Sequence, residues 1–487
     1  MEKIKIFLYQ HRFILLLTLI GAFLRFYRLE ATLQFLGDQG RDALVWKKML
    51  FDHDLPFIGP ITSVGGFFLG PLYYYLMAPF YWIFGNSPIG PAYATALIGV
   101  LTIPALFFFT KQLFSVAVAK LAAFLYTFGA IPVTETRSAW NPNPMPLAAL
   151  GIVYGFYQAQ KTKQIKWLYL SALSLGIALQ LHYMIVFLSP FILWQLFLAF
   201  KQPRLRRALL AWFCLIILLM LPLILFEIKN HFLNTLGLYK FLTQHRYGSI
   251  NLSQNIYNLR GRSEEAIGML LGFGRQTNFF RTWLSRLFLL GIFITWFKKP
   301  TKEFKLVSLW LLLSIAAVAF YKENIPPYYL AFLFPAVFIL GGWLLNKLAK
   351  RLLIFRWLLV ILFIILNAPV LYQTLTSTGN FKSAETTGRF IIKDVGVHNY
   401  QNYNLTLLDD THDYKAMAFR YFVERFGGQP LGIADYPQAQ VLYVISPYRQ
   451  TDVLNEPIWE ITSLLPAIVS AQWQFPASEN IYKIERL

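Results

Sequence analysis

"RFILLLTLIGAFLRF", Arg12–Phe26, is followed within ten residues by "QFLGDQGRDALVWKKMLFDHDLP", Gln34–Pro56. The first stretch is apolar enough for a bilayer-crossing helix. Lys3 and Lys5 precede it and no small-residue cleavage site follows, so it reads as a retained helix and not a signal peptide. The second stretch places Asp38, Arg41, Asp42, Lys47, Lys48, Asp52 and Asp54 directly behind it. A membrane helix opening into a charged loop sets the fold class.

The composition agrees. The 487 residues are 56% hydrophobic, 17% aromatic and only 14% charged, with mean hydropathy +0.48, against about 25% charged in soluble domains. An all-α polytopic membrane protein is expected. The net charge of +20 does not point to nucleic acid, because most Lys and Arg sit in short loops between apolar runs, where orientation and anionic lipid account for them. The lone Cys214 excludes a disulfide framework and a CxxC metal site.

The basic clusters give a topology. Lys3/Lys5, Lys161/Lys163/Lys166, Lys201/Arg204/Arg206/Arg207, Lys298/Lys299/Lys302/Lys305 and Lys347/Lys350/Arg351/Arg356 are expected in the cytoplasm. The tips between them then face outward, around His182, in the long loop 227–282 and at Tyr328. Four apolar runs separate the opening loop from Lys161, where parity requires an odd number. The run 66–85 holds Pro71, Pro79 and a Tyr triplet, so it is expected as an interfacial helix. About eleven spanning helices result, with the N-terminus cytoplasmic and the C-terminal part extracytoplasmic, in a cytoplasmic (inner) membrane. Residues 1–375 form the membrane domain, with 29–65 as its first outer loop. Residues 376–487 have the composition of a small α/β domain, with strands in "NLTLLDD", "QVLYVIS" and "NIYKIERL". A helix is expected in "HDYKAMAFRYFVERFGG", stopped near Gly427.

Polar residues gather in the segments placed outside. If the chain is helical from Gly37, Asp38 and Asp42 share a face and Arg41 lies beside them. A solvated interfacial helix with local ion pairs is the plainer account of any one of these charges. Further segments on the same side are "VTETRSAWNPNPMPL", with Glu135, Arg137, Asn141 and Asn143; His182; Glu227 and Lys229; and "YKENIPPYYLAFLFP", with Lys322, Glu323, Tyr328 and Tyr329. Polar groups at membrane depth are costly and tend to line cavities, and scatter would divide them between both sides.

In order and sidedness, "GDQGRDAL", "FLGPLYYYLMAPFYWIFGNS", "ETRSAWNPNPMPLAALGIVYG" and "PPYYLAFLFPAVFILGG" resemble the polyprenyl-phosphate-sugar-dependent glycosyltransferases of the GT-C fold. The resemblance covers about 5–375 and is nearest to the bacterial protein O-mannosyltransferase and aminoarabinose transferase group. It implies a GT-C membrane domain and makes Asp38 the catalytic acidic residue. Gln39 stands where the family often has Glu, Gly70 replaces a Pro, and Asn141 or Asn143 stands near a position where some relatives have Asp. Tyr328 and Tyr329 match late aromatic positions at the lipid-phosphate pocket.

The resemblance implies a polyprenyl-phosphate-linked sugar as donor and a hydroxyl on a protein, lipid or polysaccharide as acceptor. Asp38 would act as general base. Arg41, Arg137 and Lys322 are the candidates for the leaving phosphate, with Gln39, Asp42, Asn141, Asn143, His182 and Glu227 as possible support. No metal or other cofactor is expected to be obligatory, though a divalent metal remains open, and nucleic acid is not expected as a partner. A transporter or flippase of lipid-linked sugars, an oligosaccharide ligase or polymerase, and a non-enzymatic envelope protein are the alternatives.

Overall fold

The computed structural model describes every residue except 1, 63–65, 245–251, 273–278, 322–324, 350–351, 449–452 and 475–479. In chain order the helices used below are α1 (Glu2–Phe26), α2 (Gly37–Phe51), α3 (Leu72–Ile83), α4 (Ile89–Leu113), α5 (Val116–Phe128), α6 (Met145–Thr162), α7 (Ile165–Leu181) and α8 (Ser189–Phe200). There follow α9 (Pro203–Leu219), α10 (Phe279–Trp296), α11 (Lys302–Val318), α12 (Phe334–Ala349), α13 (Leu353–Thr376), α14 (Phe381–His398) and α15 (Met417–Arg425). The chain divides into two compact units. The first comprises 1–27, 56–80 and 91–375, and the second comprises 28–55, 81–90 and 376–487.

The first unit is helical. Its helices begin where side chains can serve free backbone donors: the Ser115 hydroxyl accepts from Val118 N at the start of α5, and Thr301 does the same for Phe304 N at the start of α11. Small residues bring helices together, and a side chain at Gly155 would overlap Ser171 and the Trp167 carbonyl across the α6–α7 contact. Among the described residues four helical stretches are long and apolar enough to cross a bilayer: Ile89–Leu113, Tyr183–Phe200, Pro327–Leu348 and the apolar part of Leu353–His398. The pair Pro203–Leu219 and Leu221–Lys229, bent by 61°, would make a fifth. All the runs expected to span are helical, but these lengths do not establish eleven crossings. Val116–Phe128, Ile165–Leu181 and Thr282–Trp296 are apolar but shorter.

The run 66–85 begins as a turn, not a helix. Gly59 N donates to Leu69 O (2.7 Å) and Leu69 N to Pro60 O (3.0 Å), delaying the helix to Leu72. The twelve residues of α3 span about 18 Å, well short of a hydrocarbon core of about 30 Å.

The second unit is built on a four-stranded sheet: β1 (Tyr403–Leu407), β2 (Val441–Ser446), β3 (Ala467–Gln474) and β4 (Asn480–Arg486), in the order β1-β2-β4-β3. β1 and β2 run parallel, and the other pairings are antiparallel. Its core comes from the apolar residues of β1, β2 and β4, including Leu405, Leu442, Val444, Ile481 and Ile484, all buried. β1, β2 and β4 fall in the stretches expected as strands; β3 is an additional edge strand. Helix α15 is shorter than the expected span. Ala416 precedes it in a left-handed conformation (φ 50°), and Gly427 follows it with φ 91°.

The segment 28–55, read from the sequence as a loop of the membrane domain, is part of this second unit. Buried Trp46 of α2 packs on Tyr81, with ring centroids 5.9 Å apart. The Tyr81 and Tyr421 hydroxyls are 3.1 Å apart, and Tyr421 donates to Asn86 O (3.0 Å). The Phe35 ring meets Phe381 and Phe422, each at 5.5 Å, and its N–H donates to Asn380 Oδ1 (2.6 Å). Buried aromatic pairs of this kind add about 0.5–1.5 kcal/mol each beyond area burial.

Candidate functional site

The first cluster lies in the second unit, at the start of α2. Leu36 N donates to Gln39 Oε1 (2.9 Å), which fixes the helix start. One turn of helix then sets the charges. Arg41 Nη1 reaches Asp38 Oδ1 at 2.7 Å, while its Nε and Nη2 reach Asp42 Oδ1 at 3.0 and 2.8 Å. The Asp38 side chain is 51% exposed and that of Asp42 is fully buried. Of the two carboxylates Arg41 bridges, only Asp38 can meet an incoming molecule. Asp42 anchors the guanidinium, which in turn orients Asp38.

A third carboxylate arrives from far along the chain. A side chain at Gly37 would overlap the Asp413 carboxylate, and one at Gly40 would overlap the Met417 carbonyl and Ala418 N. The glycine pair is what lets α2 lie this close to the start of α15. Asp413 Oδ2 accepts from Met417 N (2.9 Å). Burial, and after it the charges of Asp38 and Asp409, push the Asp413 carboxyl up to about 6, against the Met417 N–H and Lys415.

The second cluster lies in the first unit, where three connecting segments meet. Tyr328 packs on Trp140 (4.6 Å) and Tyr329 (5.1 Å). His182 packs on Tyr183 (4.6 Å) and Tyr329 (4.7 Å). The hydroxyls of Tyr183 and Tyr321 are 3.1 Å apart. His182 is buried, and its Nδ1 accepts from Met184 N (3.3 Å), so it starts the next helical segment. Residues 327–333 form a 3-10 turn that follows Pro326 and opens on Pro327. Tyr328, Trp140 and Tyr183 are half-buried, whereas His182, Tyr321 and Tyr329 are buried.

Other expected residues serve the backbone. Arg137 is 5% exposed, and its guanidinium donates to the carbonyls of Leu24 (2.9 Å), Arg25 (3.1 Å) and Tyr27 (2.9 Å). These are acceptors at the end of α1, so Arg137 clamps the end of that helix. Asn141 donates to Leu181 O, and Asn143 to Glu135 O and Ser138 O. Glu227 accepts from the N–H groups of Asn234 and Thr235, each at 2.8 Å, and so caps the helix Leu233–Gln244. Gly70 leaves room for Gln180, whose Oε1 accepts from Leu72 N (3.3 Å). Lys322 lies outside the described residues. Among the described residues no three His, Cys, Asp or Glu side chains form a metal-binding group.

Of the residues named from the sequence, the structure groups Asp38, Arg41 and Asp42 in one cluster and His182, Tyr328 and Tyr329 in another; Asp413, Trp140, Tyr183 and Tyr321, which stand beside them, were not named. Trp140 stands inside the quoted "SAWNPNP" and Tyr183 next to His182, so their neighbours were a usable signal. Asp413 had none.

Residues 69–226 match the family model of the dolichyl-phosphate-mannose-protein mannosyltransferases. No curated protein sequence matches the chain. Among solved structures, ArnT from Cupriavidus metallidurans bound to undecaprenyl phosphate is similar with a TM-score of 0.62 and 13% identity, over 98% of each chain. The oligosaccharyltransferase AglB from Archaeoglobus fulgidus, in complex with an inhibitory peptide and a dolichol phosphate, is similar with a TM-score of 0.54 and 12% identity. That match covers 90% of this chain and 69% of that one. The resemblance drawn from the four quoted motifs thus extends to the fold of nearly the whole chain, which is the GT-C fold with a small C-terminal sheet.

Proposed function

We propose that the protein is a membrane glycosyltransferase that moves a sugar from a polyprenyl-phosphate donor to an acceptor hydroxyl at the extracytoplasmic face. The observation that carries this reading is the half-exposed Asp38 carboxylate, held by an Arg41 that is itself anchored on buried Asp42. Asp38 takes the acceptor proton as the acceptor oxygen attacks the anomeric carbon. The bond from that carbon to the phosphate oxygen breaks on the opposite face, so the configuration inverts. The carrier phosphate leaves with one more negative charge than it had in the donor. A cation is needed where that charge develops, and the proposal assigns Arg41 to it. The wall of Trp140, Tyr328 and Tyr329, in the first unit, is assigned by itself to the apolar carrier. No nucleotide or metal enters any of these steps.

The likeness to ArnT, described bound to undecaprenyl phosphate, and the match to a mannosyltransferase family model support a lipid-phosphate donor. The likeness to an oligosaccharyltransferase supports transfer of a preassembled glycan as the second reading. The test is transfer from radiolabelled polyprenyl-phosphate monosaccharides and from lipid-linked oligosaccharides in membranes carrying wild type or Asp38→Asn. Loss of a general base lowers rates about 10²–10⁴-fold. Full activity of Asp38→Asn removes Asp38 as the base, and turnover of oligosaccharide donors alone decides for the second reading.

A further inference from the structure

A cavity of about 1010 Å³ opens in the first unit among α5, α10, α11, α12 and α13. Its walls are mostly aliphatic and aromatic, and run from Leu125 and Phe363 to Leu352. Lys298, Lys299 and Lys347, all exposed, gather at one end of it, with Glu303 as the single acidic lining residue there. The Lys347 ammonium sits over the Trp343 ring (5.1 Å), and that ring packs on Phe304 (4.5 Å). The same end holds Ser115 and Thr301, which cap the starts of α5 and α11, so the positive ends of two helix dipoles join the lysines.

This end is not the aromatic wall described above. Lys347 follows Phe334 by thirteen residues on α12, about 20 Å along the helix axis, and Phe334 directly follows the 3-10 turn of Tyr328 and Tyr329. A long apolar cleft with three cations at one end matches an amphiphile with a phosphate head and hydrocarbon chains. Basic pockets between membrane helices hold anionic headgroups in this manner.

We infer that this cleft is a binding site for an anionic membrane phospholipid, distinct from the site assigned to the sugar donor. The phosphate lies among Lys298, Lys299 and Lys347, and the acyl chains lie against α10 and α13. A zwitterionic lipid satisfies the apolar wall but brings no net charge to the lysines.

The test uses the full chain in nanodiscs doped with phosphatidylglycerol that carries a photoreactive acyl chain, or with phosphatidylcholine carrying the same chain, and cross-links are mapped to α10–α13. Wild type is expected to label at least fivefold more with the anionic lipid. Each lysine near an anionic headgroup contributes about fivefold, so K298Q/K299Q/K347Q should lose labelling by phosphatidylglycerol at least tenfold and keep labelling by phosphatidylcholine. Leu359→Trp, which keeps the lysines and fills the α13 wall, should reduce labelling by both lipids. Equal labelling of wild type by the two headgroups, or undiminished phosphatidylglycerol labelling of the triple variant, means bulk lipid in a groove and overturns the inference. Displacement of phosphatidylglycerol by equimolar polyprenyl phosphate overturns it in favour of a second carrier site.

Discussion

Asp413→Asn tests the contact between α2 and the start of α15. The Asp413 carboxyl is raised from 3.8 to about 6, first by burial and then by Asp38 and Asp409. A shift of about 2 units corresponds to about 3 kcal/mol, and partial exposure of the residue reduces this to about 1–3 kcal/mol. The folded chain keeps its proton between pH 4 and 6 while the unfolded chain has released it, so stability falls as the pH rises through that window and stays lower at neutral pH. Asn has the same shape, can still accept from Met417 N and carries no charge. Thermal unfolding of the purified protein between pH 4 and 8 should therefore show the variant more stable than wild type at pH 7–8, with the two curves meeting near pH 4. In Asp38→Asn the wild-type inflection should move below 6, because one of its causes is gone. An offset between wild type and Asp413→Asn that is constant across the pH range would refute the placement of Asp413 against α2, as would a variant less stable than wild type at pH 8.

Gly40→Ala should destabilise the second unit by about 1–3 kcal/mol, because the new methyl meets main-chain atoms of Met417 and Ala418 that cannot turn aside. Gly37→Ala, which meets a side chain that can rotate, should cost less in the same thermal scan, and the reverse order would count against the geometry. Arg137→Lys should lower the unfolding temperature and the folded yield, since it gives up at least two charged hydrogen bonds of about 1.5–3 kcal/mol each. The KM for a polyprenyl-phosphate sugar should change less than threefold, and a tenfold rise at unchanged stability would return Arg137 to the phosphate.

The sequence carried what local spacing can carry. Asp38, Arg41 and Asp42 are within one helical turn, so their bridge follows from i,i+3 geometry once α2 is assigned. The run 441–446, VLYVIS, reads as a strand buried on both faces because it carries no polar period, whereas 403–407, YNLTL, alternates and still buries Asn404 and Thr406. The clamp made by Arg137 was not legible because its acceptors lie about 110 residues away, and a polar residue beside a membrane helix looks alike whether it serves a ligand or a helix end. β3 went unread because its residues are mostly exposed and leave no apolar pattern. The attachment of 28–55 to the C-terminal part depends on two glycines, whose role is visible only once Asp413 and Met417 stand against them.

That attachment bears on how the chain is made. Lys47 and its ion-pair partner Glu424 are 377 residues apart, and every crossing between them is synthesised first. At about 5–20 residues per second, α2 waits roughly 20–75 s for the C-terminal surface it packs on, with Phe35 lacking Phe381 and Phe422 in the meantime. A chain stopped before residue 400 would leave that helix without its partner, however well its membrane segments insert. The last hundred residues thus act as a completion check on a segment translated near the beginning.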